Sequence, residues 1–404
     1  MDFSSIQDDA FSKVYAIVFP MRHQFNKLIE VAHDLLFFIH IFILLKAILF
    51  YKTKFSLYFF TQIVCLAYNK GGVMKIEEIF DGIAKYKEIH ILTEALKLHV
   101  FKWYEDSHSC EFLASESGIN VRKSSLLLDA LTAMGLLRKK ESLYRNSEMA
   151  EKYLNPTKGG YLGDYILYWI NKEGFSSLKE LLYERESIPQ PDTTYAFADL
   201  AEISANEIHQ KRAPPFLEDL DRLGFENKNF RVLDLGGGSG MLSIDLLLGF
   251  SGAEAVVFDQ PSIIHLPQKL AEKYGVEKRL NTIGGDFLRD PLGENYDVIV
   301  ASGIMDFAAG QLDNFIKKIY RALNKKGYLY LVTCDFNSTF TAPKRAVINW
   351  LPGRLKNANL LVAQKELERI ILANHFVFIT ERRIQTFTQS FLSQIYKMEE
   401  MHNE

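Results

Sequence analysis

The sequence predicts an α/β protein, a doubly wound sheet preceded by an all-helical, winged-helix domain, and three observations carry that expectation. The first is Arg231-Val-Leu-Asp234-Leu-Gly236-Gly-Gly238-Ser-Gly240, an apolar strand that ends on an acid and enters a glycine turn, followed by the helically spaced run 241–248. The second is the series of short apolar runs at 254–259, 280–287, 296–300 and 328–334, set between helical patterns as a doubly wound sheet demands. The third is the stretch 110–154, which reads as helix, turn, helix and short hairpin.

Taken in order, residues 1–73 form an apolar leader. Its run Leu35 to Tyr51 carries His40 and Lys46, and a second, shorter run covers 55–68; each falls short of the roughly 20 apolar residues that a membrane span wants. Two readings stay open. Residues 35–68 associate with a membrane, or the leader is not part of the native protein. Lys70-Gly71-Gly72 can be encoded by AAGGAGGT, a ribosome-binding sequence, just ahead of Met74, and the leader's Phe, Ile, Lys, Tyr and Leu are what translated AT-rich DNA yields. On the second reading Met74 is the start.

Residues 74–155 are the winged-helix domain. Its opening helix, 75–103, puts Ile76, Ile79, Phe80 and Ile83 on one face. Ser117-Gly118-Ile-Asn120 is the turn, 124–134 the second helix, and 136–140 with 142–145 the wing. A winged helix often reads DNA, yet this second helix is mostly apolar or small, with Arg122 and Lys123 only at its start, whereas a groove-reading helix needs several polar side chains aimed at bases and phosphates. Residues 156–225 link the domains through aromatic-rich helical stretches at 161–169 and 195–209. The α/β domain spans 226–390 and contains a long insertion, 335–361, then a helix at 364–374 and a strand at 376–380. Residues 391–404 read as a tail.

Composition removes several functions. A chain of 404 residues with 48% apolar content has room for two or three ordinary cores. Its net charge of −3 argues against a nucleic-acid partner, which selects a basic domain. Cys65, Cys110 and Cys334 show neither a paired framework nor metal-ligand spacing, which suits a reducing cytoplasm. The ten histidines include no HExxH, so nothing calls for a metal.

The glycine turn is the candidate binding site. Gly236, Gly238 and Gly240 let the backbone turn sharply and approach a ligand, since no Cβ stands in the way. A pyrophosphate fingerprint prefers Gly or Ala where Met241 stands, and the Gly-Lys-Ser/Thr ending of a P-loop is missing. Asp259 ends the next strand 19 residues beyond Gly240, near the roughly 20-residue spacing at which an acid meets ribose hydroxyls. Asp286 and Phe287 then offer a carboxylate and an aromatic face for an adenine. Asp234 is read as orienting the glycine turn, and Asp297 as structural.

These residues carry a resemblance. Asp234 to Gly240, Phe258-Asp259-Gln-Pro261, Gly285-Asp286-Phe287 with Asp290-Pro291, and Tyr296-Asp297-Val-Ile-Val300 resemble, in order and spacing, the class I S-adenosylmethionine-dependent methyltransferases. More narrowly the chain is similar, over about residues 75 to 390, to the small-molecule O-methyltransferases with an N-terminal winged-helix dimerisation domain. The resemblance implies a Rossmann-like methyltransferase sheet, S-adenosyl-L-methionine held by Gly236, Gly238, Gly240, Asp259, Asp286 and Phe287, a homodimer formed through the N-terminal domain, and an acceptor pocket lined by 156–225.

The match breaks at one place. Methyl transfer needs acceptor oxygen and methyl carbon at near-attack distance, about 3 to 3.5 Å, and a phenol of pKa near 10 is helped by a general base. The resembled enzymes place a His for this in a His-Asp-Trp motif; here it reads Met305-Asp306-Phe307, and the Lys some members carry four residues earlier is Ala301. A thioether takes no proton at this pH. The catalytic residue is therefore unknown, and three readings stand: an acceptor that needs no base, including a C-methyltransferase acting on an activated carbon; another base, from Asp306, His209, His375 or a linker tyrosine; or a catalytically inert, cofactor-binding regulatory protein. His209 reads as a surface histidine, His375 as structural and Asp306 as the cap of a nearby backbone turn.

Overall fold

The structure, a computed structural model, describes residues 74–171, 175, 178–183 and 197–399. The leader at 1–73, with its apolar run 35–68, lies outside the described residues. The chain divides after Ala84 into two units. Of the first, the described part is the beginning of α1 (Ile76–Lys97), where Ile76, Ile79, Phe80 and Ile83 are all exposed.

The second unit opens with the rest of the winged helix. The helix expected over 75–103 is two, because His99 takes a left-handed conformation (φ 52°) and ends one before α2 (Val100–Trp103) begins. Gly118, at φ 72°, stops α3 (Cys110–Ser117). The Asn120 side chain then caps α4 (Val121–Ala133) by accepting from the N–H groups of Arg122 and Lys123. The wing is the antiparallel pair β1 (Leu137–Lys140) and β2 (Leu143–Asn146), and Ser147 caps α5 (Glu148–Tyr153). Phe101, Tyr104, Leu113, Leu128, Leu131 and Tyr144 fill this domain's own core.

The linking segment supplies α6 (Gly163–Ile170), α7 (Leu178–Tyr183) and α8 (Phe197–Glu207). Helix α8 runs into a π-helical turn, Ile208–Arg212, and then α9 (Ala213–Arg222). Ala213, Phe216 and Leu220 of α9 lie in the core on one face of the main sheet, although the sequence reading ends the linker at 225.

That sheet has, among the described residues, seven strands in the order β5-β4-β3-β6-β7-β9-β8. They are β3 (Phe230–Leu235), β4 (Ala253–Asp259), β5 (Leu280–Gly284), β6 (Tyr296–Ser302), β7 (Leu323–Thr333), β8 (Phe376–Gln385) and β9 (Ser390–Met398). The first five pair in parallel. The strands β3 to β7 are joined through α10 (Met241–Gly249), α11 (His265–Tyr274) and α12 (Leu312–Ala322). Strand side chains alternate between two cores, as a period of two dictates: Val298, Val300, Tyr330 and Val332 face one, Ile299, Ala301, Leu329 and Leu331 the other. Each such Val or Leu is worth ~1.5–3 kcal/mol against exposure.

One expectation is corrected here. Residues 391–404 are not simply a tail: Ser390–Met398 is β9, seated between β7 and β8 and antiparallel to both. The insertion 335–361 contains a helix, α13 (Lys344–Lys356), that keeps Pro352 inside it, and α14 (Gln364–Ala373) follows. No helix among the described residues is long and apolar enough to cross a membrane.

Candidate functional site

Strand order reverses between β3 and β6, since the chain runs outward through β4 and β5 and returns to pair β6 with β3. Open sheets of this kind bind ligands in the crevice beyond the strand ends at such a switch point. The glycine turn sits there, directly after β3. Gly236, Gly238 and Gly240 all have positive φ (64°, 56° and 71°). A Cβ on Gly240 would lie 2.5 Å from Cβ of Pro267, and one on Gly236 would collide with Ile304. A Cβ on Gly238 would meet Ala201 of α8 at 3.5 Å, which places the linking segment beside the turn.

The neighbouring strand ends bring the predicted acids to the same edge. Leu235 pairs with Phe258, and Asp259 with Gly284, so the ends of β3, β4 and β5 stand side by side. Asp259 is buried; the Gly238 N–H donates to its Oδ2 (2.8 Å) and the Gln260 N–H to its Oδ1 (2.7 Å). Burial raises its carboxyl above the usual range, and those two backbone bonds oppose the rise. Asp234 is also buried. Ser243 Oγ–H donates to its Oδ2 (2.8 Å), while Oδ1 has no hydrogen-bond partner among the described residues. Burial pushes its carboxyl up to about 7; the Ser243 bond opposes this and the charge of Asp259 adds to it. Acid side chains at this turn disfavour a pyrophosphate and fit a ligand that brings its own donors, such as the ribose hydroxyls and ammonium of S-adenosylmethionine.

Asp286 and Phe287 follow β5. Asp286 is partly exposed, accepts from the Leu288 N–H (2.9 Å) and lies 3.4 Å from Arg289, an Asx-type turn that leaves part of its carboxylate toward solvent. Phe287 is half-buried, its ring tilted against Phe315 at 5.5 Å, so one part of it belongs to the core. Lys318 donates to the Phe287 carbonyl (2.9 Å).

Past β6, Met305 and Asp306 lie in a short 3₁₀ turn, Met305–Ala308, and both are buried. The Val362 N–H donates to Asp306 Oδ1 (3.0 Å), which ties this turn to the segment ahead of α14. Burial lifts the Asp306 carboxyl to about 6, with the Val362 bond opposing. The sequence predicts Asp306 as the cap of a nearby turn; its partner is instead 56 residues away in sequence. His209 is half-exposed, its Nδ1 2.9 Å from Asp245 Oδ1 on α10. His375 sits at φ 60° between α14 and β8, where its carbonyl accepts from the Glu399 N–H. No sequence pattern announces the π-helical turn, which brings Arg212 Nη1 to 3.5 Å from Oγ of Ser302 at the end of β6.

A seven-stranded sheet, parallel from β5 to β7 and antiparallel at β9 and β8, with a left-handed glycine turn at its switch point is the fold of the class I S-adenosylmethionine-dependent methyltransferases. The family is narrower. An O-methyltransferase domain model matches residues 217–369 and an O-methyltransferase dimerisation domain model residues 80–156, together more than half of the chain, and the chain belongs to this O-methyltransferase family. Tetracenomycin polyketide synthesis 8-O-methyl transferase TcmO of Streptomyces glaucescens is 30% identical over 232 residues, 53% of this chain and 65% of that protein. Acetylserotonin O-methyltransferase of Mus musculus is 27% identical over 263 residues, 58% and 66% respectively, so the chain spans just under two thirds of these two curated relatives. The fold is that of human N-acetylserotonin methyltransferase in complex with SAM (TM-score 0.64, 16% identity, covering 82% of this chain and all of that one). The family's cofactor is S-adenosylmethionine.

Proposed function

We propose that the protein transfers a methyl group from S-adenosyl-L-methionine to a hydroxyl of a small molecule, and that it does so in the cytoplasm as a homodimer formed through its winged-helix domain. The observation that carries this is the glycine turn flanked by buried Asp234 and Asp259 at the sheet's switch point. In this reading Gly236, Gly238 and Gly240 shape the floor for the cofactor, Asp259 takes the ribose hydroxyls, and Asp286 with Phe287 takes the adenine. Bound there, the cofactor supplies a methyl group activated by a sulfonium. The chain's own contribution is to orient it, exclude water and hold the acceptor in line. Relatives whose names specify oxygen as the methylated atom favour O-methylation over a carbon acceptor or an inert regulator. The exposed Ile76, Ile79, Phe80 and Ile83, within or next to the matched dimerisation domain, favour the homodimer.

Calorimetric titration of S-adenosylmethionine and S-adenosylhomocysteine into the full chain tests this. Micromolar binding of both is expected, and a folded protein that binds neither refutes the reading.

A further inference from the structure

The π-helical turn after α8 joins two charged residues that an α-helix would hold apart. Residues five apart point in different directions on an α-helix, with its 3.6 residues per turn. Here the Ala213 N–H donates to the Ile208 carbonyl, a spacing of five, and the wider turn sets Glu207 and Arg212 on one face. Glu207 is fully buried, and its Oε2 lies 3.1 Å from Arg212 Nε. The two are misaligned for a hydrogen bond. Among the described residues, both Glu207 oxygens, Arg212 Nε and Gln210 Nε2 are buried without a hydrogen-bond partner. Oε2 and Nε are ion-paired with each other, which leaves Glu207 Oε1 and Gln210 Nε2 with no partner among the described residues; a buried acceptor and a buried donor left open in one turn are costly and call for a group that satisfies both.

Its surroundings place it on the reaction side. Arg212 reaches Ser302, two residues before the Ile304 that walls the glycine turn, and its guanidinium lies over the ring of Phe391 at 4.7 Å. Buried Tyr165 is close enough that the Glu207 carboxylate, after burial itself, raises its phenol. The cluster offers one anionic acceptor, Glu207, and two donors, from Gln210 and Arg212, with no net charge. That combination recognises a neutral aromatic bearing a hydroxyl with a second oxygen beside it.

We propose that Glu207 binds the acceptor hydroxyl and removes its proton, in place of the base missing at Met305, while Gln210 and Arg212 hold the adjacent oxygen. The proton passes from the acceptor oxygen to Glu207 Oε as that oxygen bonds the methyl carbon; the methyl–sulfur bond breaks and its electron pair stays on sulfur. Because Glu207 is sealed, the acceptor displaces the side chains above it on entry. This rests on the methyltransferase reading above.

The test is spectroscopic titration of 4-nitrocatechol, a chromophoric vicinal phenol, into the full chain saturated with S-adenosylhomocysteine. At about pH 5, where the probe is neutral, the wild type is expected to bind it about tenfold more tightly than Glu207→Gln, as for a lost charge-assisted hydrogen bond; this advantage shrinks as pH rises, because the bound probe ionises at a lower pH in the variant, where a neighbouring anion is gone. S-adenosylhomocysteine affinity stays equal in the two. Equal behaviour toward the probe, whether both bind it or neither does, overturns the proposal. If Glu207→Gln does not fold, Gln210→Leu, which removes a donor and leaves the charge, is expected to weaken binding of the neutral probe with no lowering of its ionisation, and unchanged binding overturns the proposal. Failure of the wild type to bind S-adenosylhomocysteine refutes the methyltransferase reading instead.

Discussion

Asp234→Asn makes the cost of the buried acid behind the glycine turn measurable. Moving a carboxyl from 3.8 to about 7 by burial corresponds to ~4 kcal/mol at about 1.36 kcal/mol per pH unit. The sign follows from proton uptake. Between about pH 4 and pH 7 the unfolded chain ionises this group while the folded chain keeps its proton, so the wild type loses stability as pH rises through that window and loses no more above it. The asparagine does not titrate and still accepts from Ser243, but its new N–H bonds lack partners and take back ~1–3 kcal/mol. The variant is therefore expected to fall ~1–3 kcal/mol below the wild type near pH 4, where the wild type bears no ionisation cost, and to exceed it by ~1–3 kcal/mol near pH 8. Urea unfolding of both proteins without cofactor, followed by circular dichroism at about pH 4, 6 and 8, reads this directly. A variant-minus-wild-type difference that is constant with pH, or that falls as pH rises, would refute the argument.

Gly240→Ala forces a side chain into φ 71° against Pro267; a loss of ~2 kcal/mol or more is expected, with S-adenosylhomocysteine affinity down at least about tenfold by calorimetry. Asp259→Ala is expected to weaken cofactor binding about tenfold or more while thermal unfolding moves little, because relief of a buried acid offsets the lost bonds to Gly238 and Gln260; unchanged affinity would remove Asp259 from the site. Asp306→Ala frees the Val362 N–H, so that amide should exchange faster in hydrogen–deuterium measurements. The destabilisation of ~1–3 kcal/mol should be larger near pH 5 than near pH 8, since the wild type has itself lost stability once pH passes about 6.

The parts of this fold legible in the sequence are those where local chemistry and tertiary position agree. Strand β3 ends in a turn that requires positive φ, which glycine signals in any context, and β4 and β6 are buried on both faces and so read as apolar runs. Strand β9 escaped because Ser393 and Gln394 are buried at its centre; Gln394 accepts from Gln364 and donates to Glu368 and Glu381, so polar letters occupy core positions. Pro352 marks a break in most sequences, yet α13 carries it. Glu207 was invisible for another reason: its meeting with Arg212 depends on one widened helical turn, and a spacing of five has no meaning on an ordinary helix.

The seating of β9 also bears on how the protein is made. Among the described residues, strand β8 bonds to the sheet only through β9, and β9 is the later of the two to be synthesised. During translation at about 5–20 residues per second, β3 to β7 emerge able to pair among themselves, while β8 waits unpaired and β7 keeps an open edge carrying half of its hydrogen-bonding groups. The flank closes when residues near 398 leave the ribosome and slide between them, so the sheet is completed after, and not during, the synthesis of its parallel half. A nascent chain stalled before residue 390 would present both edges to chaperones or to its neighbours on the same message.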